Sequence, residues 1–362
     1  MAGTVTVKDV AREANVSIGT VSRVLNNHKN VTDEIRQRVL KAASQLGYFG
    51  PGPGGQDNTS FEPRAVKEIG FLYYSSNDSG AVTLNPFWSH ILNGVESESR
   101  KNNIKVTYRT IGELGYTPDF LLTTIYEMKL GGILLVGPAE PEIIRLIQQT
   151  RLPLVLIDNY VRGLSVDAVL GDNFEGARLA VNYLISEGHQ RIAFIGGPTS
   201  FDGPRPLNKI YTIERRAAGY RTALLDAGLP VDYDLYQPGN LNATGGYAAC
   251  KRFLERGIDF SAVFCANDDT AIGAIKALYE AGCHVPSDIS VVGFDDIDIV
   301  QHLTPALTTV NVNKEALGTV AVKSLLNRVA DIDAVNVTNM LDVELVKRDS
   351  VANRRTQRTQ RT

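Results

Sequence analysis

Apolar positions near the start of the chain recur at helical spacing. In "VTVKDVAREANVSIGTVSRVLN" (5–26), Val7, Val10, Ala11, Val16, Val21 and Val24 fall where two short helices would share a core. Thr6 with Asp9 three residues on has the spacing of a capping box, which predicts a helix to about Glu13. Ser17 is a second N-cap, opening a helix from Ile18 to about Asn26. Between them "ANV" allows a tight turn with Asn15 left-handed. A third helix starts at Thr32 and carries Ile35, Val39 and Leu46 at core spacing.

From Lys67 onward the pattern changes. Short β-rich runs ("EIGFLYY", "GGILLVG", "LPLVLID", "RIAFIGG", "SAVFCAND", "ISVVGFDD") alternate with helical stretches at 88–102, 119–129, 173–187, 214–227, 244–256 and 269–281. Continuous apolar strands between helices predict βαβ units and parallel sheets covered on both faces, with ligands at the carboxyl ends of the strands. Between the two regions lies "YFGPGPGGQDNTSFEPR" (48–64), whose positions 50–55 hold four glycines and two prolines. Glycine frees the backbone and proline removes a donor, so this stretch reads as a joint between domains.

The 362 residues suggest two or three domains, and 43% hydrophobic composition suffices to fold them. Cys250, Cys265 and Cys283 are widely spaced, with no CxxC pair and no adjacent histidine cluster, so neither disulfides nor zinc are expected. The N-terminus has no apolar stretch of signal-peptide length, and "GGILLVG" is far short of a membrane span; a cytoplasmic location and no membrane partner are expected. The net charge of −3 is unevenly spread: residues 1–49 carry +3, residues 350–362 carry +4 and residues 50–349 carry −10. A basic head on an acidic body suits a protein whose head meets a polyanion, although +3 over 49 residues is equally an ordinary surface.

Three short helices, two joined by a tight turn, make a helix-turn-helix candidate whose second helix enters the major groove; a three-helix interaction bundle has the same periodicity. In the first reading Ile18, Gly19, Ser22 and Arg23 lie on the exposed face. Arg23 can read guanine through two hydrogen bonds and Ile18 can touch a thymine methyl. Thr6, Ser17, Thr20 and Asn26 suit phosphate contacts.

In the body, polar groups gather at strand ends: Asp158, Asn267 with Asp268, and Asp295 with Asp296, while Arg216 begins a helix. Aspartates there can hold a metal for hydrolysis, can accept hydrogen bonds from a sugar beside a bidentate arginine, or can cap helices. Capping is favoured for Asp172, Asp269 and Asp296, and the ligand reading for Asp158, Arg216 and Asp295. A sugar-modifying or hydrolytic enzyme is the rival, but no nucleophile–base motif or metal spacing supports it, and it leaves the head unexplained.

"VTVKDVAREANVSIGTVSRVLNN" followed by "VTDEIRQRVLKAASQLGY" resembles the DNA-binding head of the lactose/galactose repressor family. The body resembles the same family through "NPFWSHILNGVE", "RRAAGYRTALLDAGL", "AVFCANDDTAIGAIKAL", "ISVVGFDDIDIVQHLTPALTTV" and "VELVKR". The resemblance implies an all-α helix-turn-helix head and an α/β body of two Rossmann-like lobes, folded like a periplasmic sugar-binding protein. It implies a dimeric repressor that binds double-stranded operator DNA and a small sugar effector, with no cofactor, metal or catalytic residue. Ile18, Gly19 and Arg23 fall on its base-reading positions, Gly19 being smaller than usual there. Asp158, Arg216, Asn267 and Asp295 would hold effector hydroxyls, with Leu241 on a cleft-lining loop. Phe87 and Trp88 match two aromatic positions by the cleft; Trp88 offers a face for a sugar ring or, alternatively, packs in the core.

The first-lobe stretch "SNDSGAVTLNPFW" looks most like the branch that represses β-galactosidase operons, which makes a galactoside the expected effector. The family pattern divides the chain into a head (1–49), a linker (50–66), a body (67–348) and a basic tail (349–362), expected to be disordered. Lobe one would hold 67–161 and 314–330, and lobe two 162–296 and 337–347. The family's usual hinge helix, which wedges a leucine into the minor groove, has no counterpart in "FGPGPGGQDNTS", where Asp57 stands near the wedge position. Binding without a hinge-helix kink, or coupling through the spacing of two heads, is expected instead.

Overall fold

The computed structural model describes residues 5–25, 30–46, 48, 66–73, 86–111, 118–197 and 209–354. Asn26 and the linker residues 50–65, on which a phosphate contact and a missing hinge helix were expected, lie outside the described residues.

The head is three helices, α1 (Val7–Glu13), α2 (Ile18–Leu25) and α3 (Asp33–Gln45). Its local signals behave as expected. The Asp9 carboxylate accepts the Thr6 backbone N–H at 2.9 Å and the Thr6 hydroxyl at 2.7 Å, closing the start of α1. Asn15 is left-handed (φ 50°), and Ser17 Oγ accepts the Thr20 N–H at 3.1 Å to start α2. Val10, Ala14, Val21, Val24, Val39 and Leu40 are buried together, a small core that aims the polar face of α2 outward.

The body opens with β1 (Glu68–Tyr73), α4 (Pro86–Lys101), β2 (Lys105–Thr110), α5 (Pro118–Glu127), β3 (Ile133–Val136), α6 (Pro141–Gln148), β4 (Leu154–Ile157) and β5 (Asp167–Gly171). It continues through α7 (Asn173–Ser186), β6 (Ile192–Gly196), α8 (Tyr211–Asp226), β7 (Tyr236–Pro238), α9 (Ala243–Glu255), β8 (Ala262–Cys265), α10 (Asp268–Glu280) and β9 (Ser290–Val292). The last elements are β10 (Thr309–Val312), α11 (Lys314–Ala330), β11 (Thr338–Leu341) and β12 (Val343–Val346).

Two parallel sheets result. The first has the order β11-β5-β4-β3-β1-β2 and the second β7-β6-β8-β9, while β10 and β12 form an antiparallel ribbon. Helices cover the sheets, and the central strands β3, β4, β6 and β8 are fully buried, as apolar runs require.

The sheets divide the chain differently from the family-based expectation. Residues 162–171 and 337–347 were assigned to the second lobe, but β5 pairs with β4 and β11 pairs with β5, both in the first sheet. The chain therefore first crosses after Gly171. There Gly171 lies against Val312 and Val343, and a Cβ on it would stand 3.2 Å from Val312. All three crossing segments meet at that point, so the boundary is set by a packing contact between residues distant in sequence. Helix α11 returns to the first lobe as expected and crosses α4 so closely that a Cβ on Gly318 would stand 2.1 Å from the Ile91 carbonyl oxygen.

The tail is also corrected: residues 349–354 are docked rather than disordered. Ser350 is fully buried, its carbonyl accepting from Val291 N–H at 2.9 Å and its hydroxyl accepting from Thr308 N–H at 2.8 Å. The Arg354 N–H reaches the Glu187 carbonyl at 2.8 Å. The tail satisfies the otherwise open edge of β9, which no charge pattern announces. Residues 355–362 lie outside the described residues. Among the described residues no helix is long and apolar enough to cross a membrane.

Candidate functional site

Two sites are built from opposite ends of the chain. In the head, Ser17, Ile18, Gly19, Ser22 and Arg23 are exposed and Thr20 is half-buried, while Val21 and Val24 on the opposite face are buried. Ile18 is 48% exposed, so its side chain is free to touch an apolar group outside the chain. Ser17 Oγ and Thr20 Oγ1 are 2.8 Å apart, so their hydroxyls are fixed at the N-terminus of α2, where backbone N–H groups favour an anion. A Cβ on Gly19 would meet only Ser17 Oγ, at 3.8 Å; the missing side chain is therefore not forced by the fold. Thr6 is exposed beside this surface, its hydroxyl held by Asp9.

In the body, the cleft groups come from the carboxyl ends of strands in both sheets. Asp158 follows β4 with φ 54° and is anchored by its N–H to Val169. Asp295 lies beyond β9 with φ 106°, its N–H donating to Val310 at 2.8 Å. Arg216, on the second turn of α8, is 3% exposed. Its Nε donates to Asn173 Oδ1 at 2.7 Å, its Nη1 to the Ala266 carbonyl and its Nη2 to Asp295 Oδ1 at 3.1 Å. The guanidinium also lies 3.7 Å from the centroid of the Phe294 ring.

Burial dominates the electrostatics. It pushes the Asp158 carboxyl up to about 7, with Arg216 pulling the other way and Asp295 adding to the rise. Burial likewise raises Asp295 to about 6 against the pull of Arg216 and Lys314. The sequence reading thus names three groups, Asp158, Arg216 and Asp295, that the fold brings into mutual electrostatic contact.

The other expected residues are placed differently. Asn267 is the N-cap of α10: its Oδ1 accepts from Thr270 N–H at 3.1 Å and its Nδ2 donates to the Leu241 carbonyl at 3.0 Å. Capping was favoured for Asp269 instead. Asp268 is fully buried, accepting from Thr309 Oγ1 at 2.5 Å and Ile297 N–H at 2.9 Å, and Asn267 takes the cap one residue earlier. Asp172 caps α7 as expected, through Glu175 N–H at 2.9 Å. Asp296 is no cap; it accepts from Arg348 at 2.7 Å. Leu241 has φ 55° and packs near Gly197. Phe87 is buried in the core, whereas Trp88 is half-buried, lying over Gly137 at the end of β3 with its ring 6.2 Å from that of Tyr73.

Sequence reasoning missed Lys314. At the start of α11, its Nζ donates to the carbonyls of Asp295 at 2.6 Å and Asp296 at 3.0 Å, linking a first-lobe helix to a second-lobe strand end. It also missed Asn173, which orients Arg216. Neither had a local signal, because a lysine or asparagine at a helix start ordinarily faces solvent.

Comparison with known proteins agrees with this architecture. Residues 6–50 match the family of bacterial regulatory proteins of the lacI family, and residues 181–351 match the periplasmic binding protein-like domain. The chain is 31% identical over 346 residues to the ribose operon repressor of Haemophilus influenzae, covering 96% of this chain and 98% of the relative. It is 32% identical over 346 residues to the transcriptional repressor CytR of Escherichia coli K12, covering 95% and 96%. Among solved structures it resembles the transcriptional regulator CelR in complex with cellobiose (TM-score 0.70, 29% identity, 96% of this chain and 100% of that one). It also resembles the lac repressor dimer bound to operator and an anti-inducer (TM-score 0.66, 27% identity, 97% and 100%). An exposed helix-turn-helix head and a two-sheet body with a polar cleft, matched over nearly the whole chain by these regulators, place the chain in the lacI family of bacterial regulatory proteins, as a DNA-binding transcription regulator and not an enzyme.

Proposed function

We propose that this protein represses a sugar-utilisation operon from the cytoplasm and changes its grip on operator DNA when a small neutral sugar enters the cleft. The observation that carries the reading is the Arg216–Asp295 pair, 3.1 Å apart and buried, with Asp158 beside it at the ends of strands from two sheets. Two carboxylates and one guanidinium fixed in geometry are suited to hydroxyl groups that both donate and accept. They disfavour a phosphate or an acidic sugar, whose charge would meet the carboxylates. Trp88 supplies an apolar face for the ring, and Asn267 and Leu241 frame the cleft. Galactosides are the first sugars to test, on the strength of the first-lobe resemblance.

At the DNA, Ile18, Gly19, Ser22 and Arg23 read base edges and Thr6, Ser17, Thr20 and Asn26 hold phosphates. One head makes few base contacts; two heads on a two-fold homodimer read a pseudo-palindrome and gain affinity through effective concentration. The test is a titration of the protein against its own promoter at two salt concentrations, with and without a sugar panel that includes galactosides. A sequence-specific, salt-sensitive complex shifted by one sugar is expected. Binding indifferent to DNA sequence would overturn the reading.

A further inference from the structure

The head does not stand apart from the body. Helix α5 of the first lobe lies against α2 and α3, and Tyr126 on its last turn packs into the apolar cluster built by Val24, Leu40 and their neighbours. Its hydroxyl donates to the Leu25 carbonyl at 3.5 Å, a long bond, so the ring carries the contact rather than the hydroxyl. Burial pushes the Tyr126 phenol up to about 12, and Tyr48, directly before the linker, lies beside it. A tyrosine ring from one domain half-buried against the core of another is a seat, because undocking would forfeit its apolar contact with that core.

The seat leaves the proposed reading surface open. Ile18, Gly19 and Arg23 are exposed, while the opposite side of α2, at Val24 and Leu25, faces α5. The docked head can therefore meet DNA without first being released. The linker sequence "GPGPGG" cannot form the helix that would otherwise transmit a movement of the first lobe. Helix α5 lies in that lobe, between β2 and β3 of the first sheet.

We infer that the α5 face centred on Tyr126 is a docking surface for the chain's own DNA-binding head, and that Tyr126 is the positioning residue through which the first lobe sets the head's orientation. The inference rests on the regulatory reading above. Its consequence is that effector-driven rotation of the first lobe moves the reading helix directly, by side-chain contact, so that no hinge helix is required. Because Tyr126 touches neither the cleft nor the proposed reading surface, its removal should affect orientation and leave the two binding chemistries intact.

The experiment has two arms on the full-length protein. In the first, backbone amide relaxation of residues 7–25 in the wild-type chain reports whether the head tumbles with the body. A shared correlation time supports docking; independent tumbling overturns it, whatever any variant does. In the second, wild type, Tyr126→Ala and Tyr126→Phe are titrated against the protein's own promoter, with sugar binding followed by calorimetry. Tyr126→Ala should weaken operator binding about three- to tenfold, because the head's freedom must then be lost on binding. It should also blunt the response of operator binding to sugar, while the dependence on salt and the affinity for sugar stay as in wild type. Tyr126→Phe should restore both. A Tyr126→Ala protein that binds and responds like wild type, or one whose sugar affinity or salt dependence falls in parallel, overturns the proposal. A wild-type protein with no specific operator complex would instead sink the regulatory reading, and the relaxation arm would still decide whether the head is docked.

Discussion

Arg216 Nη2 lies 3.1 Å from Asp295 Oδ1 with both side chains almost wholly buried. Its other donors go to Asn173 and Ala266. Removing the arginine would leave a buried carboxyl unpaired. Arg216→Ala is expected to lower stability by about 3–5 kcal/mol and to abolish sugar binding. Arg216→Lys should recover little, since a lysine cannot reproduce the fork of donors. Urea unfolding and calorimetry check both outcomes.

Asp158 supplies the upper part of the pH dependence, above the range in which Asp295 titrates. Its native pKa of about 7 lies above that of an unfolded aspartate, so the native state holds the proton more tightly. The stability it contributes is present at low pH and is lost as pH rises towards 7, with a slope of at most about 1.4 kcal/mol per pH unit. Asp158→Asn should reduce the slope and stabilise the chain at pH 7.5, read as the urea midpoint at pH 5 and at pH 7.5, the remainder belonging to Asp295. Sugar hydroxyls that donate to the ionised carboxylate should bind more tightly as pH rises from 6 to 8.

Gly19 occupies a helical position with open space around its Cα. Gly19→Ala should stabilise the head by roughly 0.5–1 kcal/mol, because glycine loses more backbone freedom than alanine. Thermal unfolding of the full chain checks the gain. Selection of preferred operators for the two proteins shows whether the position also reads a base; an altered preference at one base pair is the expected result.

Ser350 closes the edge of the second sheet. Ser350→Ala leaves Thr308 N–H without its acceptor and should cost about 1–3 kcal/mol. Removal of residues 355–362, by contrast, should leave the urea midpoint unchanged and weaken only nonspecific DNA binding, through the loss of three arginines.

The legible parts of this chain are those governed by neighbours in sequence. Asp9 reaches Thr6 and Ser17 reaches Thr20 within one helical turn, and Asn15 adopts its left-handed turn locally, so composition and spacing sufficed for the head. The buried strands β3, β4, β6 and β8 were visible as apolar runs. Edge strand β2 escaped because its exposed residues carry no apolar signature, and β7 because it is three residues long.

The division of the body and the assembly of the cleft required contacts across the chain. The placement of β5 and β11 in the first sheet follows from their mutual pairing, 170 residues apart at Ala168 and Thr338. Asn267 takes the cap favoured for Asp269, and Asp268 turns into the interior, because the backbone places one at the start of α10 and buries the other.

By itself the sequence determined the helix-turn-helix head, the alternating α/β body, the family and the trio Asp158, Arg216 and Asp295, since each rests on local periodicity, capping chemistry or a residue pattern. Only the tertiary structure decided where the lobes divide, how Lys314 ties α11 to Asp295, how residues 349–354 close the second sheet, and that Tyr126 seats the head on α5. These are long-range packing contacts and hydrogen bonds, whose partners are chosen by shape and burial once the sheets have formed, and no local pattern encodes that choice.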